Sequence, residues 1–154
     1  MPLDRADKAI VKALQENARL TNVELAERVG LSPSACLRRV NMLEQSGTIS
    51  GYYAELNPAK IDYDVVVLVQ ITLTGQSAAI LKDFETAVVR IPNLLACFLL
   101  AGAKDYVLRI AARDVADYGE IHSNYLAGLP HVQSMESSFV LRTVMNRGLP
   151  VDLI

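Results

Sequence analysis

Apolar positions in the first 47 residues recur with helical spacing, and turn signals interrupt them at short intervals. Asp4 stands as an N-cap ahead of a run carrying Ile10 and Leu14, which ends near Glu16 and Asn17. Thr21-Asn22-Val23-Glu24 has the form of a capping box, in which the threonine hydroxyl serves the Glu24 amide and the glutamate carboxylate reaches back. The helix it opens presents Leu25, Ala26 and Val29 and stops at Gly30, a residue suited to the left-handed helix end. After a three-residue turn, Ser32 caps a third helix with Pro33 at its first position, running to about Ser46 and stopped by Gly47.

The pattern then changes. Residues 48 to 57 read as extended and end at the turn pair Asn57-Pro58, so 48–62 is the expected linker between domains 1–47 and 63–154. Val65 to Leu73 is an apolar, β-branched run that ends before Gly75. Ser77 caps a helix with Ile80, Leu81, Phe84, Val88 and Ile91 on one face, closed by Pro92. Two strands, Leu94 to Ala101 and Tyr106 to Ala112, flank a short connection of Gly102, Ala103, Lys104 and Asp105. Asp114 caps a helix with Tyr118, Ile121, Tyr125 and Leu129 inward, and Val132 to Leu141 is the last strand. This βαββαβ order is the ferredoxin-like split, so the fold class is α+β with an N-terminal helix-turn-helix of winged-helix-like kind.

The first half carries its own chemistry. A small residue, Ala26, lies four positions before Gly30, which allows close helix approach and then a sharp redirection of the chain. Those are the demands of a helix-turn-helix whose second helix enters the major groove. At 100° per residue and with Val40 inward, Cys36, Leu37 and Leu43 fall within about 60° of it. Ser34, Ala35, Arg38, Asn41, Met42 and Gln45 fall opposite, with Arg39 on a flank. Small, hydroxyl, amide and guanidinium groups suit base edges and phosphates, and the helix N-terminus at Ser32 and Ser34 adds amides for a phosphate. Asn22, at the start of the preceding helix, joins the same expected surface. The competing reading is a plain three-helix bundle with a solvated polar face.

Composition narrows the function classes. The 154 residues are 51% hydrophobic and 21% charged, a folded globular mix with no run near the ~18 apolar residues of a membrane span. Met1 to Ala9 carries Asp4, Arg5, Asp7 and Lys8 and no apolar signal-peptide core, which points to a cytoplasmic protein. Fifteen basic against seventeen acidic residues give −2, and up to Asp62 the two are balanced at eight each. DNA binding here must come from local placement of charge, because bulk attraction is absent.

Enzyme constellations are thin. His122 and His131 have no metal-ligand partner at helical spacing, and there is no Walker loop, Rossmann fingerprint or nucleophile elbow, so neither metal nor cofactor is expected. Cys36 and Cys97 are too few and too distant for a disulfide framework or a zinc cluster, and both read as small apolar packing residues. The Gly102 to Tyr106 loop sets a lysine, an aspartate and an aromatic beside a glycine. Lys104 and Asp105 have the charges to meet the carboxylate and ammonium of a zwitterion, and a solvated turn is the plainer reading. Ser137 and Ser138 on the last strand are open in the same way.

With both halves assembled, nearly the whole chain resembles the Lrp/AsnC (feast/famine) family of bacterial and archaeal transcription regulators. Leu3 to Asp7, Thr21 to Pro33, Cys36 to Val40, Leu43-Glu44, Gly51-Tyr52, Leu56-Asn57-Pro58 and the Gly102 to Tyr106 loop carry the likeness. The resemblance implies a DNA reader joined to an effector-sensing, dimerising domain whose dimers pair through their sheets and assemble into tetramers, octamers or larger bodies. It also implies that a small effector, usually an amino acid, binds where dimers meet, around Gly102, Lys104, Asp105 and Tyr106 with Ser137 and Ser138. In two places the chain departs from the family pattern. The loop commonly reads Gly-Asp-x-Asp-Tyr, whereas Ala103 and Lys104 here exchange an acidic group for a basic one, and Ala35 replaces a frequent proline. The alternative of another class is a tetrapyrrole (sirohaem) decarboxylase-like enzyme sharing this two-part architecture.

Overall fold

The computed structural model describes residues 3–146 and 149. The chain forms two compact units, Met1–Glu55 together with Val144–Ile154, and Leu56–Thr143. The division falls inside the expected 48–62 linker. The second unit, however, closes at Thr143, and the segment from Val144 groups with the first unit, where the Gln15 side-chain amide donates to the Leu149 carbonyl (2.8 Å).

In the first unit, α1 (Arg5–Glu16), α2 (Asn22–Val29) and α3 (Pro33–Gln45) surround a small core of Ile10, Ala13, Leu25, Ala26, Cys36 and Leu43. Each helix start is held by a side-chain cap: Asp4 for α1, Thr21 for α2 and Ser32 for α3. Asp4 and Asp7 make a full capping box, and so do Thr21 and Glu24, which satisfies two otherwise orphaned amides at each site. Gly30 has φ +70°, and Leu31 N–H reaches back to the Ala26 carbonyl (2.9 Å), closing α2. Ala26 is 1% exposed, which fits the close-approach role read from its spacing. Leu37 departs from the expected inward position. It is 50% exposed, and the inward stripe of α3 runs through Cys36, Val40 and Leu43 instead. Residues 48–57 form no strand, and a short 3₁₀ turn at Pro58–Lys60 follows them.

The second unit is a four-stranded antiparallel sheet in the order β2-β3-β1-β4, with β1 (Val65–Leu73), β2 (Leu94–Leu99), β3 (Tyr106–Ala112) and β4 (Val132–Phe139). That order is the ferredoxin-like arrangement expected from the element sequence. Burial alternates along β1 and β3, as the two-residue period of a strand requires. Val67, Val69, Ile71, Leu73, Tyr106, Leu108, Ile110 and Ala112 form the core with Phe84 and Val88 of α4 (Ala78–Val88) and Tyr118 and Ile121 of α5 (Val115–Ile121). The other face carries Leu68, Val107 and Phe98, which registers opposite Val107; Leu68 and Phe98 are exposed.

Three expectations shift. β2 ends at Leu99 and β4 at Phe139, each two residues early. Tyr125 is 43% exposed and Leu126 takes the inward place at 1%. The reason is local: α5 passes into a π-helical turn at His122–Leu126, where Ala127 N–H bonds to the His122 carbonyl. The extra residue in that turn moves the inward direction on by one position.

Candidate functional site

Among the seven residues expected on the DNA face, α3 presents Ser34, Arg38 and Asn41 exposed along one stripe at i, i+4 and i+7. Arg38 has no ion pair among the described residues, so its guanidinium faces solvent ready for an acceptor. Ala35 is half-buried behind this stripe. Ser32 is occupied as the N-cap, its hydroxyl accepting from Ala35 N–H and lying 3.3 Å from the Ser34 hydroxyl.

Two residues of that surface are tied into the protein. Asn22 donates its side-chain amide to the Pro33 carbonyl (2.8 Å), which pins the start of α2 to the start of α3. Arg39 turns toward α1, where a single Nη1 lies 2.8 Å from Asp4 Oδ2 and 2.7 Å from Asp7 Oδ1. The Asp7 backbone amide and then Arg39 hold the Asp4 carboxyl below its usual range, and the two carboxylates, Asp7 first, raise the Arg39 guanidinium. Conversely, Leu37 joins Met42, already expected outward, on the exposed side of α3. The helical angle places Leu37 about 60° from Val40, at the edge of the inward arc, and the packing leaves it outside. An exposed leucine beside Arg38 offers an apolar contact of the kind that thymine methyl groups accept.

The loop between β2 and β3 divides the expected effector residues among three roles. Gly102 is exposed, with open space where a Cβ would stand. Lys104 pairs with Glu136 of β4 at 3.4 Å. Asp105 is buried at 6% and spends both oxygens internally, accepting from Leu73 N–H (2.7 Å) and from the Gln76 amide (2.7 Å). It therefore knots the loop to the end of β1. Tyr106 is 1% exposed, lies against the Phe84 ring at 4.6 Å and donates its hydroxyl to Glu85 (2.7 Å). Burial first, and then the Glu85 carboxylate, push its phenol well above the usual range.

Ser137 and Ser138 point to opposite faces, as neighbouring strand residues must. Ser137 registers with buried Val69 and bonds the Tyr118 hydroxyl at 2.5 Å on the helix side. Ser138 registers with Leu68 on the open face, two residues along from Glu136. One small ligand cannot meet both hydroxyls from one side of the sheet. Lys104 and Glu136 pair with each other, Ser138 lies on the same face as Glu136, and Asp105, Tyr106 and Ser137 are hydrogen-bonded within the unit.

Cys36, His122 and His131 have local partners or surroundings of their own. Cys36 is fully buried and burial raises its thiol, which keeps it neutral. His122 lies edge-on to Tyr118 at 6.3 Å, and His131 meets Asp83 at 3.2 Å. Among the described residues there is no cluster of metal-ligating side chains, and no helix is long and apolar enough to cross a membrane.

Known proteins resemble both units. Residues 3–50 match the winged helix-turn-helix DNA-binding model, and residues 66–150 match the Lrp/AsnC ligand binding domain. The leucine-responsive regulatory protein of Escherichia coli is 39% identical over 142 residues, covering 92% of this chain and 87% of its own. The Bkd operon transcriptional regulator of Pseudomonas aeruginosa is 38% identical over 148 residues, covering 96% and 97%. Among solved structures, a transcriptional regulator of Neisseria meningitidis in complex with L-Met superposes with TM-score 0.92 at 37% identity, covering 99% of both chains. An AsnC family regulator from Agrobacterium tumefaciens gives 0.93 at 31%, again with 99% of both chains covered.

Proposed function

The chain belongs to the Lrp/AsnC family of DNA-binding transcription regulators, and from that premise we propose which of its residues read DNA and which answer to the effector. The observation that carries the reading is the exposed stripe Ser34, Leu37, Arg38 and Asn41 on a helix whose other side is anchored by Cys36 and Leu43. Arg38 is the base-reading or phosphate-binding cation, Asn41 the amide reader, and Ser34 with the α3 N-terminus the phosphate contact.

One head with balanced charge binds DNA weakly. Two heads on a dimer address successive major grooves about one helical turn apart, and each raises the effective concentration of the other. The open face of the sheet, with Leu68, Val107 and Phe98, supports pairing with a second copy. Dimers that assemble into tetramers or octamers of the chain are the assembly we propose, in the cytoplasm and without catalysis. The resemblance to regulators, one of them solved with L-Met, supports an amino acid as effector.

In this reading the effector lies between dimers against Lys104, Glu136 and Ser138. Lys104 meets its carboxylate and Glu136 its ammonium, while Asp105 holds the loop in place. Binding shifts the population of assemblies only through a difference in affinity between them. The test is a melting-temperature screen with each of the twenty amino acids, on the native chain and on Lys104→Ala. The reading predicts at least one stabilising amino acid whose effect is lost in the variant. No shift with any of them, or an unchanged response in Lys104→Ala, overturns the effector assignment.

A further inference from the structure

The cluster of Arg39, Asp4 and Asp7 has a division of labour that the DNA-reading role does not explain. Each carboxylate uses one oxygen for the α1 capping box and the other for Arg39. Asp4 Oδ1 accepts from Asp7 N–H (2.8 Å) and Asp4 Oδ2 from Arg39 (2.8 Å). Asp7 Oδ2 accepts from Asp4 N–H (3.3 Å) and Asp7 Oδ1 from Arg39 (2.7 Å). The Asp7 side chain is 8% exposed and that of Arg39 27%, so the pair sits largely out of water. The contact spans 32 and 35 residues of chain and joins the first turn of α1 to the middle of α3.

We propose that Arg39 is a positioning residue rather than a DNA contact, fixing the axial rotation and tilt of α3 so that Ser34, Arg38 and Asn41 face the groove together. This rests on the reading of α3 as the recognition helix. The two neighbouring arginines then have opposite duties, Arg38 outward to DNA and Arg39 inward to α1. The core beneath α3 is small, with only Cys36 and Leu43 fully buried from that helix. A helix held by so few apolar contacts needs a directional one. A guanidinium nitrogen shared by two carboxylates whose own geometry is locked by the helix cap supplies it.

The sign of one substitution separates the two roles. Asp7→Asn removes a negative charge near a DNA-binding surface, so simple electrostatics predicts tighter binding. Positioning predicts weaker binding, because the substituted side-chain amide preserves the cap oxygen but gives up the charged partner of Arg39. Asp4→Asn is the milder companion, since asparagine caps helices as well as aspartate. The experiment is fluorescence anisotropy of the full chain on a labelled fragment from upstream of its own coding sequence. It is run across a salt series for native, Asp4→Asn, Asp7→Asn, Arg39→Met and Arg39→Lys proteins. All are measured at a temperature where circular dichroism shows each to be fully folded, so that loss of global stability alone leaves affinity unmoved.

The expected result is a loss of about threefold to thirtyfold for Asp7→Asn and Arg39→Met, a range typical of coupling through a packed network. The salt slope stays that of the native protein, Arg39→Lys regains most of the affinity, and Asp7→Asn with Arg39→Met together is no worse than either alone. Tighter binding by Asp7→Asn, or a salt slope in Arg39→Met shallower by about 0.9 per contact, overturns the proposal and returns Arg39 to the phosphate backbone. If Arg39→Met does not fold, Asp4→Asn and Asp7→Asn decide by the same sign. If the native chain fails to prefer its fragment over a scrambled one, the recognition-helix reading itself has failed, which is a different outcome from a native chain that binds and an Asp7→Asn chain that binds better.

Discussion

Replacing Asp105 by alanine removes two acceptors at once from the edge of the Gly102 to Tyr106 loop. The residue is 6% exposed and its carboxylate receives the Leu73 amide and the Gln76 side chain, each at 2.7 Å. Gln76 is exposed and can turn to water, so its loss costs little. The Leu73 amide lies at a buried strand end and has nowhere else to donate. A buried donor left unpaired costs ~1–3 kcal/mol, and an acceptor bearing charge places this one in the upper half, about 2–3 kcal/mol. Asp105→Asn retains one acceptor oxygen, and about half that cost is expected. The assay is amide hydrogen exchange at Leu73 by NMR, which reads the local opening directly and does not depend on two-state unfolding of a two-unit chain. At about 1.4 kcal/mol per decade, Asp105→Ala accelerates exchange between about thirtyfold and a hundredfold. An unchanged Leu73 rate, with the effector response abolished, would refute the positioning role and make Asp105 a direct ligand.

Other predictions test the fold at points where a single residue decides. Gly30→Ala forces a Cβ into φ +70°, costing ~1–2 kcal/mol; a melt of the N-terminal unit is expected to fall by roughly 5–10 °C, and no change would mean that the turn relaxes. Leu126→Ala is expected to cost ~2–5 kcal/mol in urea unfolding while Tyr125→Ala stays within about 0.5 kcal/mol; the reverse order would remove the π-helical turn. Tyr52 is pushed up to about 12, first by burial and then by its hydrogen bond to Glu44 (2.8 Å). Its raised value makes the neutral phenol the stabilising form, present in full below pH 10 and lost as pH rises through about 12. Tyrosinate absorbance should show a phenol titrating near pH 12 that disappears in Tyr52→Phe, while the Tyr106 phenol, raised further still, remains.

Much of this architecture could be read in advance because its signals are local. The β1 and β3 bounds and the caps at Asp4, Thr21, Ser32, Ser77 and Asp114 each depend on residues within three or four positions of one another. Periodicity failed where a side chain or the backbone broke the period. The π-helical turn moves the inward place from Tyr125 to Leu126, and Leu37, at the edge of the arc centred on Val40, lies outside the packed stripe of α3. The candidate sites were legible as neighbourhoods, not as roles. Arg39 and Asp105 have charges that suggest ligands, yet their partners lie about thirty residues away in sequence, beyond the reach of any local pattern. The resemblance puts Ser137 and Ser138 in one expected site, whereas strand alternation separates them across the sheet.

The most direct measurement is the affinity of the native chain and of Arg38→Ala for the chain's own upstream DNA, by anisotropy across a salt series, against a scrambled fragment of equal length. A regulator reading DNA through α3 binds its own fragment at least about a thousandfold more tightly than the scrambled one at physiological salt. Arg38→Ala then loses ~1–3 kcal/mol on that fragment. Equal affinity for the two fragments, or an Arg38→Ala chain that binds as the native one does, would contradict it.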